Sequence, residues 1–250
     1  MSTSATRVVV VTGASRGLGL EWVQQLNQDP KNYVIAVVRN PEKATQLKAL
    51  QGQNIAIVKG DVSDFDSFPN VAKEISKVAG GKVDVLINNA GVMIGTGAEF
   101  ATGISKSSPD EWAEQFKINV TALVFFTIAL IPLLENGQEK KVVNIASMLG
   151  DVGFALDQPS YHFSSYAVTK AGVTMANAKF HVEFKEKGFT FLALNPGWVN
   201  TDLAGEGKGS YAPLQPTESI RQCLSFVNRA TSADSGKFFT LDGRPEAATH

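Results

Sequence analysis

Seven short runs rich in β-branched and aromatic residues recur along the chain, and each consecutive pair flanks one stretch of helical length. The runs lie at 7–11, 33–38, 54–59, 83–88, 141–145, 189–195 and 237–241. Between them, 17–27, 41–51, 65–78, 109–134, 164–187 and 216–228 carry the mixed apolar and polar pattern of helices. Strands this short and this continuously apolar are buried on both faces, which antiparallel hairpins rarely achieve and helix-covered parallel strands require. Strand and helix in strict alternation therefore predict an α/β fold, a Rossmann-type doubly wound parallel sheet of about seven strands with helices on both faces. No composition shift or linker divides the chain, so residues 1–250 are expected to form a single domain.

Bulk properties narrow the function classes. Hydrophobic residues make up 44% of the chain, enough for one large core. Lys and Arg (23) balance Asp and Glu (24), which gives no reason to expect nucleic acid or a membrane surface as partner. The single cysteine, Cys223, leaves no intrachain disulfide and reads as a small buried apolar residue. No clustered His, Cys and Asp set appears, so no metal is expected. The longest apolar stretch, 121–134, contains Pro132 and is too short to span a bilayer. The N-terminus runs directly into four valines without a signal-peptide core, and a soluble, cytoplasmic protein is expected.

Ligands in an open parallel sheet bind beyond the carboxyl ends of the strands, where strand order reverses. The first run is followed by Thr12-Gly13-Ala14-Ser15-Arg16-Gly17-Leu18-Gly19. Glycines there permit a tight turn and close backbone approach to a diphosphate, and the next helix offers free N–H groups and its positive end. A site for NAD places an acidic residue after the second strand to bind a ribose hydroxyl. Here that position holds Arg39, which suits a 2′-phosphate, with Arg16 able to grip the same group. NADPH/NADP+ is therefore the expected cofactor. Further along, Tyr166 and Lys170 stand four apart in Ser165-Tyr166-Ala167-Val168-Thr169-Lys170, one turn apart on one helical face. An ammonium beside a phenol should draw the phenol down from about 10 toward neutrality, making Tyr166 a usable proton donor or acceptor.

Together these residues resemble the short-chain dehydrogenase/reductase family, in its short single-domain branch, over nearly the whole chain. Thr12-Gly13-x-x-x-Gly17-x-Gly19 is similar to the family's cofactor loop, Asp61-Val62 to its adenine contact, and Asn88-Asn89-Ala90-Gly91 to its motif after the fourth strand. Asn119, Ser147, Tyr166 and Lys170 match its catalytic tetrad, and Asn195-Pro196-Gly197-Trp198-Val199-x-Thr201 its nicotinamide-side loop. Val38-Arg39-Asn40, Lys179-Phe180-His181-Val182-Glu183 and Gly236-Lys237-Phe238-Phe239 place the resemblance nearer the sniffer and C-factor-like carbonyl reductases, which include fungal ketoreductases. In one respect the chain departs from the pattern. Ser147 and Tyr166 are nineteen positions apart, more than the family's usual spacing, and the added residues include Asp157-Gln158-Pro159-Ser160-Tyr161-His162-Phe163.

The resemblance implies hydride transfer between NADP(H) and a small-molecule carbonyl. Tyr166 would donate the proton, Ser147 would hydrogen-bond the carbonyl oxygen, Lys170 would tune Tyr166 and hold the ribose, and Asn119 would position a relay water. Gly13, Ser15, Arg16, Gly17, Leu18, Gly19, Arg39, Asp61, Val62, Asn89, Ala90, Gly91, Pro196, Gly197, Val199 and Thr201, with Tyr166 and Lys170, would contact the cofactor. Met93, Ile94, Met148, Leu149, Phe154, Phe163, Trp198 and Tyr211 flank the site and favour a hydrophobic or aromatic substrate. The glycine-rich stretch at 204–210 reads equally as a lid or as a disordered solvent loop. A homodimer or homotetramer through the helices near 109–134 and 164–187 is implied, although sniffer-like members also occur as monomers. The competing readings are a secondary-alcohol dehydrogenase running oxidatively and a non-catalytic NADP-binding sensor.

Overall fold

A computed structural model describes residues 6–50, 52, 54–205 and 208–245. Its strands are β1 (Arg7–Thr12), β2 (Asn32–Val38), β3 (Ile55–Lys59), β4 (Val85–Asn88), β5 (Lys141–Ile145), β6 (Thr190–Leu194) and β7 (Phe238–Phe239). All pair in parallel, in the order β3-β2-β1-β4-β5-β6-β7. The order reverses between β1 and β4, which opens a crevice at their carboxyl ends. The helices are α1 (Gly17–Leu26), α2 (Thr45–Leu50), α3 (Phe68–Ala79), α4 (Pro109–Phe116), α5 (Ala122–Glu135), α6 (Val152–Asp157), α7 (Ser164–Phe184) and α8 (Pro216–Arg229).

The strand sequences explain the layering through their two-residue period. Val9, Val11, Val34, Ala36, Val85, Ile87, Val143, Leu192 and Leu194 face one side of the sheet, packing with Trp22, Leu26, Leu47 and Phe226 of α1, α2 and α8. Val8, Val10, Ile35, Val37, Leu86, Val142, Phe191 and Ala193 face the other, against Phe68, Ile75, Phe126, Leu130, Val173 and Phe180 of α3, α5 and α7. Cys223 is fully buried in the first layer, and burial pushes its thiol up to about 12.

One polar feature crosses the second layer. The Asn88 side-chain amide donates to Thr127 Oγ1 (2.8 Å) and Asn144 Oδ1 (2.9 Å), and Asn144 donates to Asn177 Oδ1 (3.0 Å). These four buried side chains tie β4 and β5 to α5 and α7 without any charge.

The structure departs from the pattern-based expectation in four places. The stretch 41–51 is not one helix: Asn40 Oδ1 accepts from the N–H groups of Glu42 and Lys43, capping a 3-10 turn at Pro41–Lys43 before α2 begins. Gln51, its expected end, lies outside the described residues, as do Glu206 and Gly207 of the glycine-rich stretch. Between α4 and α5 a π-helical turn, Lys117–Thr121, replaces regular helix. The run Pro109–Glu135 is thereby one continuous helical span, long and apolar enough by composition to cross a membrane, but half of its most apolar window is buried inside the fold. Between 145 and 164, where the pattern predicts no helix, lies α6, whose N-terminus is capped by Asp151 Oδ1 accepting from Phe154 N (2.7 Å). The last strand is only two residues long.

Replacing Asn144 by Ala strands one N–H of Asn88 and the Asn177 carbonyl in the core. Orphaning buried amide groups costs about 1–3 kcal/mol each, so Asn144→Ala is expected to lower Tm by roughly 4–24 °C for a chain of this size. Differential scanning calorimetry checks this; an unchanged Tm would remove the amide ladder from the list of stabilising features.

Candidate active site

The glycine loop between β1 and α1 is shaped by close approaches that only glycine allows. Gly13 has φ +65°, and a Cβ there would lie 2.8 Å from Ala90 Cα. At Gly19 a Cβ would fall 2.2 Å from the Gly13 carbonyl and 2.6 Å from Asn89 Nδ2. Arg16 occupies the N-cap of α1 without a side-chain cap, so the first N–H groups of the helix have no intrahelical or capping partner. Across the crevice, Thr12 Oγ1 accepts from the N–H groups of Asn89 (3.0 Å) and Ala90 (3.1 Å), and Asn89 Nδ2 donates back to the Thr12 carbonyl (3.0 Å). The turn, its glycines and its free donors form a cradle that fits a dinucleotide diphosphate.

Beside this cradle, Arg16 and Arg39 are exposed and line one wall. Asp61 and Val62 follow β3 on the same side. Burial works to raise the Asp61 carboxyl, but hydrogen bonds from Ser63 N (2.9 Å) and Oγ (2.8 Å), with the Arg39 and Lys117 cations, outweigh it and hold its pKa below the ordinary value.

At the other end, the chain leaves β5 through Ser147, whose Oγ accepts from Leu149 N (3.2 Å) to start a 3-10 turn at Met148–Gly150. That turn sits directly on α7: a Cβ on Gly150 would lie 2.5 Å from Ala171 N and 2.6 Å from the Lys170 carbonyl carbon. Glycine at 150 thus lets the turn that follows Ser147 pack on α7 at Lys170 and Ala171. Tyr166 is 6% exposed and Lys170 5%. Lys170 Nζ donates to the Ile145 carbonyl (2.7 Å) and lies 5.4 Å from the centre of the Tyr166 ring.

The electrostatics correct the expectation for this pair. Burial pushes the Tyr166 phenol well above its ordinary value, not down toward neutrality, and lowers Lys170 to about 8. Desolvation penalises the charged form of both groups. The lysine is turned to the Ile145 carbonyl, so it does not offset that penalty at the phenol. Tyr166 is therefore a neutral phenol at physiological pH.

Asn119 lies in the π-helical turn, a local irregularity often found at functional sites. Its Oδ1 accepts from Val92 N (2.8 Å), and its Nδ2 donates to the Val92 carbonyl (2.9 Å) and Thr169 Oγ1 (3.0 Å). The side chain so clamps the segment after β4 to α7, between Tyr166 and Lys170. Gly91 faces Asn119 and Lys170: a Cβ there would stand 3.2 Å from Asn119 Oδ1 and 4.0 Å from Lys170 Nζ. A second clamp lies nearby: Glu111 Oε2 accepts from Thr96 N (3.2 Å), its Oε1 accepts from Ser165 Oγ (3.0 Å) and the Thr96 hydroxyl, and Gln115 donates to Ser165 Oγ. The bonded pairs stand up to 54 positions apart, and no local pattern announces them.

After β6, Asn195 Oδ1 accepts from Gly197 N (3.1 Å) and Ser219 Oγ donates to the Pro196 carbonyl (2.7 Å), fixing a turn in which Gly197 has φ +83°. Val199 bridges to Leu214, and Thr201 faces Gly17 of the glycine loop. All the expected cofactor and catalytic positions except Asn119 line one cleft of about 1230 Å³, larger than the 300–1,000 Å³ typical of a single small-molecule site. Met93, Met148, Leu149, Phe154, Phe163, Trp198 and Tyr211 line it as anticipated, whereas Ile94 does not and Phe100, Tyr161 and Leu203 join them.

Comparison with known proteins agrees with this geometry. The sequence profile of the family described as short chain dehydrogenase matches residues 7–210. Among curated proteins, the short chain dehydrogenase virK of Hypocrea virens is 34% identical over 229 residues, 89% of this chain and 82% of the relative. An uncharacterized oxidoreductase of Schizosaccharomyces pombe is 30% identical over 260 residues, 97% and 98% of the two chains. Among solved structures, the NADPH-bound carbonyl reductase from chicken fatty liver superposes with a TM-score of 0.86 at 28% identity, covering 98% of this chain and all of the other. The carbonyl reductase Sniffer of Drosophila melanogaster matches with the same TM-score at 25% identity over 98% of this chain.

The buried Lys170 generates a pH prediction for the cofactor-free protein. Its folded pKa of about 8 lies below the unfolded 10.5, which corresponds to roughly 3 kcal/mol of destabilisation when the group is charged in both states. Below pH 8 that cost is complete; between about 8 and 10.5 the folded state releases its proton first and the cost fades. Lys170→Met loses the Ile145 hydrogen bond, worth about 1 kcal/mol, yet is expected to gain about 2 kcal/mol net at pH 7. Chemical denaturation across pH should show this gain shrinking above pH 8. A gain that grows with pH contradicts the assignment.

Proposed function

The chain belongs to the short-chain dehydrogenase family, and within it we propose that this oxidoreductase uses NADPH to reduce the carbonyl of a ketone or aldehyde on a hydrophobic or aromatic small molecule. One observation carries the reading: a neutral, buried phenol, Tyr166, with Lys170 Nζ 5.4 Å from its ring centre, lines with Ser147 the same cleft as the glycine cradle. A protonated phenol is poised to give a proton, which is what reduction of a carbonyl demands.

Gly13, Ser15, Arg16, Gly17, Leu18 and Gly19 would hold the diphosphate, and Arg16 with Arg39 the 2′-phosphate. Asp61 and Val62 would meet the adenine; Asn89, Ala90 and Gly91 the central riboses; Pro196, Gly197, Val199 and Thr201 the nicotinamide side. When bound, the reduced nicotinamide supplies the hydride that the carbonyl carbon accepts. Ser147 Oγ and the Tyr166 hydroxyl donate hydrogen bonds to the carbonyl oxygen as negative charge builds on it, a type of stabilisation worth a few kcal/mol per donor. Tyr166 then passes its proton to that oxygen, which as an alkoxide is far more basic than a phenolate. Lys170 would hold the nicotinamide ribose. Asn119, by fixing Val92 against Thr169, keeps the lysine's surroundings in place for reprotonation through a relay water. The chicken carbonyl reductase, solved with NADPH, supports the choice of cofactor and reaction.

Tyr166→Phe is expected to reduce kcat by about 10²–10⁴-fold, the usual worth of a positioned general acid, while the Kd for NADPH stays within about twofold because the ring remains. Stopped-flow turnover and fluorescence titration measure the two; near-normal turnover would sink the assignment. For cofactor choice, kcat/KM with NADPH should exceed that with NADH by at least about tenfold, and Arg39→Ala should remove most of the difference, since a charge-assisted phosphate contact contributes about 1.5–3 kcal/mol. A preference for NADH in the unaltered enzyme overturns the NADPH reading.

A further inference from the structure

The extra residues between Ser147 and Tyr166 build one wall of the cleft. His162 N donates to the Phe100 carbonyl (2.9 Å) and Phe163 N to the Glu99 carbonyl (3.2 Å), so this segment is zipped to the one that follows β4. The same junction gathers four rings. Tyr161 lies 5.8 Å from Phe100, 6.1 Å from Phe154 and 6.5 Å from Phe163, centre to centre, and all four line the cleft. Phe163 is held with φ +38° and ψ +39°, a left-handed conformation that a bulky side chain adopts only when its surroundings over-determine it. It stands three residues before Tyr166.

A merely structural aromatic cluster would be closed to solvent. Here Phe100 is 53% exposed and Tyr161 38%, although both are anchored by backbone bonds and ring contacts. Rigid aromatic surface left open in a cleft is suited to contact a ligand. Across the site, Trp198 (54% exposed) and Tyr211 (83% exposed) rise from the segment after β6. The strand order β4-β5-β6 places Ser147 between these two aromatic groups.

We propose that Phe100, Phe154, Tyr161 and Phe163 form an aromatic subsite that takes the flat ring system of an aryl ketone, with its carbonyl directed to Ser147 and Tyr166. This rests on the reductase reading and narrows it: the substrate is a planar, ring-fused aromatic carbonyl compound and not a saturated or open-chain one. Tyr161 and Phe163 are the specificity-determining residues.

The test compares ligands of one carbon skeleton that differ in aromaticity: the ketones α-tetralone and α-decalone, and the alcohols naphthol and decalol. Decalol has the larger apolar surface, so simple hydrophobic burial favours it, whereas ring stacking favours naphthol. Titration calorimetry on the full chain with saturating NADP+ should show naphthol binding more tightly. In Tyr161→Leu, which keeps apolar bulk, naphthol should weaken roughly fivefold, equal to about 1 kcal/mol, and decalol less than twofold. Phe163→Gly, which suits the left-handed backbone and so preserves the fold, should behave likewise. KM for tetralone should rise in step, with kcat unchanged. Equal losses for both alcohols, or no loss in either variant, would overturn the subsite. If both ketones are reduced without aromatic preference, the subsite falls and the reductase reading stands. If neither ketone is reduced while the Tyr161-dependent preference for naphthol holds, the subsite stands and the reductase reading falls.

Discussion

The tie between Thr12 and Asn89 holds together the place where the two halves of the sheet part. From β1 the chain turns toward β2, and from β4 it turns toward β5, so beyond the last ladder pair, Val11 and Ile87, no strand pairing keeps their carboxyl ends in register. Thr12 Oγ1, gripping the N–H groups of Asn89 and Ala90, supplies that registration, and the Asn89 amide answers it at the Thr12 carbonyl. Gly13 and Gly19 then pack against Ala90 and Asn89 at distances no side chain would permit. Further out, Asn119 passes the restraint from Val92 to Thr169, and Lys170 passes it from α7 to the end of β5. A continuous set of polar contacts therefore fixes the cradle and the tyrosine relative to each other, which is what a reaction between two bound molecules requires.

Placing Tyr166 and Lys170 in this frame has a cost that the frame must absorb. Both groups are buried, and each is disfavoured in its charged form. The lysine is retained charged at neutral pH with one carbonyl, that of Ile145, as its hydrogen-bond partner. Strained Phe163 at the start of the same helix adds to this local expense. The large apolar layers on either face of the sheet make such a site tolerable, because they stabilise the fold independently of it.

Much of this was legible in the chain. The strand positions followed from continuous apolar runs, since only strands covered on both faces can carry them. The glycine spacing and the Tyr166-Lys170 pair were readable because the backbone geometry they need is local, whereas Ser147 and Asn119 were readable only through the family resemblance. What escaped were quantities set by three-dimensional surroundings. Spacing of four showed that Tyr166 and Lys170 are neighbours, but the direction of the phenol's shift depends on how deeply both are buried. The π-helical turn at Lys117–Thr121 has no composition signal of its own. Helix α6 is short, contains Gly153 and exposes Val152 and Leu156, so Asp151 as a capping residue was its sole marker. Phe100 and Tyr161 reach the cleft through irregular segments, where sequence distance says little about proximity.

The amide ladder Asn88–Thr127–Asn144–Asn177 lies directly behind this chemistry, on β4 and β5, which lead to Asn89 and Ser147, and on α7, which bears the tyrosine. It contains no group that gains or loses a proton in the physiological range. An acidic or basic residue at any of its rungs would feel each change of charge at Tyr166 and Lys170 and would relay it into the sheet. Built from carboxamides and one hydroxyl, the ladder is electrically silent: the site can cycle through its protonation states while the scaffold that aims it stays the same.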